Sequence, residues 1–258
     1  MHERTIGYNL LLCLVGLVVI LCLESFSGMD MQVQQHFYDA SRHAWLVDAD
    51  WQIRLKPWLY TGPKILLGLV GVGCVLLCIR FLVTHRTIHY PSLILLLSLV
   101  LVPSSIAAGK QISNIYCPYE LQAFGGSRAY QHVLEPASSE NEGHSRGKGF
   151  PAGHASGGFA LMGLYFCFNS RRASRIGLGT GLTLGWAMGI YQMARGAHFL
   201  SHTLFSMLAA WLIICLIRLA TYRLFRQWRI QKADRPHAAP VMGQDDRNGG
   251  RLPDETSA

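Results

Sequence analysis

The sequence predicts an all-α polytopic membrane protein, a bundle of six transmembrane helices, and three observations carry that prediction. The 258-residue chain is half hydrophobic and only 15% charged, a balance suited to a protein whose solvent is mostly lipid. Apolar runs of roughly 17 to 25 residues, long enough to cross the ~30 Å hydrocarbon core as helices, recur along it. The pieces between them alternate between short basic links and long mixed ones, the alternation that a chain threading a bilayer leaves behind.

The runs cover residues 7–23, 65–83, 91–108, 155–168, 176–193 and 204–220. The first resembles a secretory signal, but Leu23-Glu24-Ser25-Phe26 offers no small-residue cleavage site, so an uncleaved span is expected. The fourth is short for a span unless its glycines and His154 lie at the interface.

Arginines set the orientation. Arg80 and Arg86 flank the second link, Arg171, Arg172 and Arg175 crowd the fourth, and Arg218, Arg223, Arg226, Arg229, Lys232 and Arg235 follow the last run. Short, basic, acid-poor pieces stay in the cytoplasm, so both termini are expected inside and the links 24–64 and 109–153 outside. Residues 1–221 then form the membrane domain. Residues 222–258 form a basic cytoplasmic tail, polar beyond Pro236 and expected to be disordered.

The net charge of +8 needs no nucleic-acid partner. It belongs to these topogenic arginines and to a stretch, 223–235, with a basic residue at every third position, suited to anionic headgroups. Of seven cysteines only Cys117 lies in an outward link, so no disulfide framework is expected there, and nothing around Cys117 resembles an activated thiolate.

The first outward link mixes Phe37, Tyr38, Trp45, Trp51, Trp58 and Tyr60 with charges. Aromatics with polar neighbours favour the headgroup zone, so one or two short amphipathic helices on the bilayer are expected, either as a wall or gate for a lipid substrate or as a plain anchor.

Three apolar runs deliver basic or imidazole side chains to one outward rim. Lys110 ends the third run. Pro151-Ala152-Gly153-His154 opens the fourth, where a Pro suits a first helical turn, Gly lets backbone approach a ligand and free N–H groups favour an anion. Arg146 and Lys148, set among glycines just upstream, can fold a cation over a phosphate. Arg195, His198 and His202 join the fifth run to the sixth, and the two imidazoles stack on one face if they share a helix. Two chemistries fit: one imidazole attacks phosphorus while the other fixes its tautomer and Arg195 neutralises oxygens, or His154, His198 and His202 hold a metal such as zinc.

These residues together resemble the type-2 phosphatidic acid phosphatase superfamily, whose pattern is K-x6-R-P, then P-S-G-H, then S-R-x5-H-x3-D, and most of all its bacterial branch that includes lipid A phosphatases. Lys110 and Pro118 match the first element, with Cys117 at the arginine position. Pro151, Gly153 and His154 match the second, with Ala152 for serine. His198 matches the third, with Tyr191, Gln192 and His202 at the serine, arginine and aspartate positions.

The resemblance covers residues 110–206. It implies six membrane helices in the bacterial inner membrane, a periplasmic active site, and a metal-independent hydrolase without cofactor. His198 is implied as phosphorus nucleophile and His154 as the group that protonates the leaving oxygen, with His202 orienting His198. Lys110, Lys148, Arg195, Arg146 and Gly153 are expected to bind substrate. The implied substrate is a lipid mono- or diphosphate: lipid A, undecaprenyl diphosphate, or phosphatidic or phosphatidylglycerol phosphate. A lipid-to-lipid phosphotransferase, and a degenerate member that binds lipid or partners lipid A modifying enzymes, remain alternatives.

Overall fold

The computed structural model describes residues 3–136, 143 and 145–233, the side chains of residues 3, 4 and 228–233 excepted. It is mostly helical. Two compact units divide after Tyr222, Met1–Tyr222 and Arg223–Ala258. The described part of the second is helix, and the disorder expected beyond Pro236 lies outside the described residues.

Helix α1 spans Glu3–Ser27 and turns at Gly28, in the left-handed region at φ 62°, into the short α2, Met29–Gln35. A two-stranded hairpin follows, β1 (Tyr38–Asp39) against β2 (Ala44–Trp45). Helix α3, Ala49–Lys56, starts where the Asp48 carboxylate accepts the Trp51 N–H at 3.0 Å, an N-cap that satisfies one orphan donor. It runs through one wide turn, Pro57–Thr61, into α4, Gly62–His85. Helix α5 covers Tyr90–Ser113, with Pro91 in its first turn and Asn114 ending it at φ 51°.

After the second long link come α6 (Gly153–Ala160), a 3₁₀ continuation (Leu161–Phe166), α7 (Arg171–Ala194) and α8 (Leu200–Ala233). Helix α8 thus outruns the last apolar run by several turns.

Among the described residues four segments are long and apolar enough to cross a membrane: Thr5–Ser27, Ala49–His85, Tyr90–Glu120 and Leu200–Gln227. On α1 and α4 large apolar side chains such as Leu12, Val18, Leu69 and Leu76 are exposed, as lipid-facing helices require. These features suggest a membrane protein.

The fourth and fifth apolar runs take another form. Eight α-helical residues pass into 3₁₀ geometry, and α7 is helical for 24 residues but gives up apolar bulk for glycine. The reason is packing. Gly177, Gly181, Gly185 and Gly189 fall four apart on one face of α7. A methyl on Gly181 would strike the backbone of Met162, and one on Gly185 the Phe159 ring. Across the contact, a methyl on Gly158 would lie 2.5 Å from the Gly185 nitrogen. This close backbone approach, of the kind that small residues allow between helices, is what holds α6 to α7. A Gly158→Ala change should cost roughly 1–3 kcal/mol. Phe159, Ala155, Met162, Ala210 and Ile214 fill the core beside it.

The first long link holds one short helix, α3, and its earlier part packs against the protein. Gln34 Nε2 donates to the Met193 carbonyl at 2.8 Å, Val47 N–H to the Ala194 carbonyl at 3.0 Å, and the Trp45 indole occupies the space that a side chain at Gly196 would need. The hairpin therefore sits on the end of α7. Its two-residue strands are too short for an alternating pattern to be read in sequence, whereas Trp51, Ile53 and Trp58 on the following segment remain exposed.

Candidate active site

Lys110 lies one turn before the end of α5, partly buried. Its side chain runs over Gly153, the first residue of α6: a Cβ there would stand 3.4 Å from Lys110 Cδ and 3.8 Å from Nζ. Glycine at this position leaves the lysine room to reach the amino end of α6. Pro151 lies outside the helix, which begins only after Ala152. The Ala152 N–H donates to the His202 carbonyl at 3.3 Å, tying the start of α6 to the start of α8.

The glycine-rich approach to α6 is a packed strand of backbone. A Cβ on Gly147 or Gly149 would come within 2.5–2.7 Å of the Ile115–Tyr116 backbone. The segment is fastened there by Gly149 N–H to the Ile115 carbonyl at 2.5 Å, Gly147 N–H to Asn114 Oδ1 at 3.0 Å and Ser113 Oγ to the Phe150 carbonyl at 2.5 Å. So held, the Gly149 carbonyl accepts a hydrogen bond from His198 Nδ1 at 2.8 Å. A carbonyl can only accept, which places the proton on Nδ1 and leaves the lone pair of His198 on Nε2.

His198 stands in the turn between two helices. Helix α7 closes on Gly196, at φ 74°, with Gly196 N–H to the Met193 carbonyl and Ala197 N–H to the Gln192 carbonyl, the paired bonds of a glycine C-cap. Arg195 is the last residue before that glycine and His198 the second after it. His202 lies in the first turn of α8, which begins at Leu200, so the two imidazoles do not share a helix. Their ring centroids are 5.9 Å apart at 65°, and His202 is packed edge-on by Phe150 and Phe199. His202 Nδ1 has no partner among the described residues. The tautomer-fixing bond expected from His202 is made by Gly149 instead, because the helix starts after His198.

His154 faces this turn, its ring centroid 6.3 Å from that of His198, and its other side meets the Tyr60 ring at 4.7 Å. Burial, then Lys64, Lys110 and Arg195 in that order, push His154 down to about 4. Burial likewise holds His198 well below its ordinary value, assisted by His202, Lys110 and His154 and opposed by the Gly149 carbonyl. Both rings are therefore neutral at neutral pH in the unliganded site, the state a nucleophilic imidazole needs.

Arg195 is partly buried, and its Nε has no hydrogen-bond partner among the described residues. The same holds for His154 Nδ1, Thr203 Oγ1 and both amide atoms of the fully buried Gln192. Among the described residues no ion pair involves Lys110, Arg195 or Lys64, and no three His, Cys, Asp or Glu side chains are grouped to hold a metal ion.

Lys110, Gly153, His154, Arg195, His198 and His202 are thus neighbours. Arg146 and Lys148 are exposed, and Arg146 Nη2 donates to the Ile112 carbonyl at 2.9 Å. Their glycine neighbours serve close backbone packing rather than a cationic flap.

Sequence reasoning missed three groups. Gly149 had a signal, the spaced glycines beside His154. Tyr60 was marked only as one aromatic of the first link, and Lys64 had no signal, since it lies far upstream in the first turn of α4. Lys64, Lys110 and His154 share a cavity of about 470 Å³ whose remaining wall is largely apolar, with Leu67, Leu99 and Pro103 among its residues.

The profile of the PAP2 superfamily matches residues 91–226, from the start of α5 through the imidazole turn into α8. No curated protein and no solved structure matches the chain. Since that match spans more than half of the sequence and encloses every element that brings Lys110, His154 and His198 together, the chain belongs to the PAP2 superfamily, whose members support phosphatase chemistry on phosphate esters.

Proposed function

We propose that the protein is a membrane lipid phosphatase that acts through a phospho-histidine on His198. Nε2 of His198 attacks phosphorus as the bond to the leaving oxygen breaks, Lys110 and Arg195 neutralise the non-bridging oxygens, and His154 passes a proton to the departing group. Water then attacks the N–P bond, with His154 as base, releasing inorganic phosphate and restoring Nε2. The neutral resting state of His154 is compatible with this, since an arriving phosphate dianion offsets the cations that keep its proton away.

The observation that carries the reading is the His198 ring: its Nδ1 is fixed on the Gly149 carbonyl, so its free nitrogen is available for attack, in a setting of cations without a carboxylate partner. The reading extends to six membrane crossings, with runs 155–168 and 176–193 as the two inner ones, both termini cytoplasmic, a site opening to the periplasm of a bacterial inner membrane, and no metal requirement. Lipid is the expected carrier because the cavity beside His154 is apolar and lies among the segments apolar enough to span.

Purified protein in detergent should release phosphate from lipid phosphates in the presence of chelator, and His198→Ala should lower kcat/KM by on the order of 10⁴-fold or more. Full activity in that variant would remove the nucleophile, and loss of wild-type activity on chelation would remove metal independence.

A further inference from the structure

Lys64 belongs to none of the three sequence elements that build the site. It sits in the first turn of α4, with Nζ 4.0 Å from the centre of the Tyr60 ring. That ring in turn meets His154 at 4.7 Å, so the ammonium is never farther from His154 than these two distances laid end to end. Of the three cations around His154, Lys64 acts on it most strongly. Among the described residues Lys64 forms no ion pair.

The position of Lys64 relative to the reaction axis gives it a meaning. His154 is the group placed to protonate the leaving oxygen, and the nucleophile His198 lies on the far side of the reacting phosphorus from that oxygen. The cavity begins at His154 and Lys110, includes Lys64 and runs on between α4 and α5 past Leu67 and Leu99, while the fully buried His198 does not line it. A cation in that cavity faces the leaving group. If the leaving group is a lipid alcohol it carries no charge beyond its oxygen, and an ammonium there has nothing to bind. If it is a lipid monophosphate, it carries the negative charge that Lys64, an exposed lysine lining this largely apolar cavity and without an ion pair among the described residues, would hold.

We propose that Lys64 binds the lipid-proximal phosphate of a diphosphate substrate, so that the site takes a lipid diphosphate and expels a lipid monophosphate into the apolar cavity. This rests on the phosphatase reading above. In balance, His198 Nε2 bonds to the terminal phosphorus and the bond from that phosphorus to the bridging oxygen breaks. The bridging oxygen leaves with the lipid monophosphate, and water then converts the phospho-histidine to inorganic phosphate. Lys110 and Arg195 hold the transferred phosphoryl group and Lys64 the one left behind.

Farnesyl diphosphate and farnesyl monophosphate, which share one apolar chain, separate these roles in detergent solution. The ratio of kcat/KM for diphosphate over monophosphate should fall at least about tenfold in Lys64→Gln, as loss of one charged oxygen ligand can cost 10²–10³-fold, and should return towards the wild-type ratio in Lys64→Arg. Lys110→Gln should depress both substrates with little change in the ratio. An unchanged ratio in Lys64→Gln, whether both activities persist or both fall, overturns the assignment of Lys64 and leaves the phosphatase reading standing. Wild-type protein that releases phosphate from neither compound, nor from any other lipid phosphate, overturns that reading and this one with it.

Discussion

The turn from Arg195 to Thr203 is gripped from two sides that are built on opposite rules. On one side stand Lys110, Arg195 and the neutral rings of His154 and His198, with no carboxylate in ion-pair reach among the described residues and several buried polar atoms lacking partners. On the other stand Glu24 and Asp30, both almost fully buried, and every carboxylate oxygen there has a donor. Asp30 accepts from Ser201 N–H at 2.9 Å and from Ser201 Oγ. Glu24 accepts from Val133 N–H at 3.2 and 3.3 Å, from Tyr130 and Ser25 hydroxyls, and pairs with His132 at 3.1 Å. Polar groups that are completely satisfied fix a structure, and polar groups left open receive a ligand. The acidic side anchors the first and second long links to the start of α8, and the basic side holds the residues of the proposed phosphate site.

This contrast is breakable by experiment. The largest effect belongs to the open side. Lys110→Gln should reduce kcat/KM on lipid phosphate by roughly 10²-fold with little change in the thermal unfolding midpoint, because no protein partner is deserted. A marked fall in that midpoint would make Lys110 structural.

Asp30→Ala should do the reverse in kind. It strands the buried Ser201 N–H and hydroxyl, costs about 2 kcal/mol of stability, and lowers activity chiefly through the folded fraction. Unfolding measured in detergent alongside activity per folded molecule checks both halves. A specific loss of kcat at unchanged stability would move Asp30 into the chemistry.

The smallest effect, and the sharpest in sign, is with pH. His154 is depressed to about 4 from 6.5, so the unfolded chain takes up its proton first as pH falls. The associated stability is whole above about 6.5 and is lost between there and about 4. Asp30 is raised from 3.8 to about 6, chiefly by burial against the Ser201 bonds, so it runs the other way: its contribution is present below about 3.8 and is lost as pH rises to about 6. His154→Gln should therefore flatten the acid-side loss of the unfolding midpoint, and Asp30→Asn the opposing slope over the lower part of the same range. Two unchanged profiles would mean that neither group is buried as described.

The local elements that deliver the site were legible in sequence. Lys110, His154 and His198 are marked by their places at the ends of apolar runs. The acidic anchor was not legible, since Glu24 and Asp30 flank a helix break that has no pattern of its own and gain their meaning only from Ser201 and Val133, more than a hundred residues away. Separation along the chain likewise hid Lys64, which meets His154 only across the Tyr60 ring. For His202 the spacing of four pointed to a shared helix, but the helix starts at Leu200 and the hydrogen bond passed to a backbone carbonyl that no side-chain pattern can announce.

By itself the sequence determined a mostly helical chain with segments apolar enough to span a membrane and marked Lys110, His154, Arg195 and His198, while it offered Arg146 and Lys148 and passed over Lys64, because span length, charge bias and helix-end residues are local properties of the chain. Tertiary structure alone decided who holds whom: Gly149 on His198, Asp30 on Ser201, Lys64 across Tyr60 from His154. Such partnerships depend on how backbones approach in space, and in this chain that approach is set by glycine contacts between α6 and α7 and by a packed glycine strand at Ile115–Tyr116.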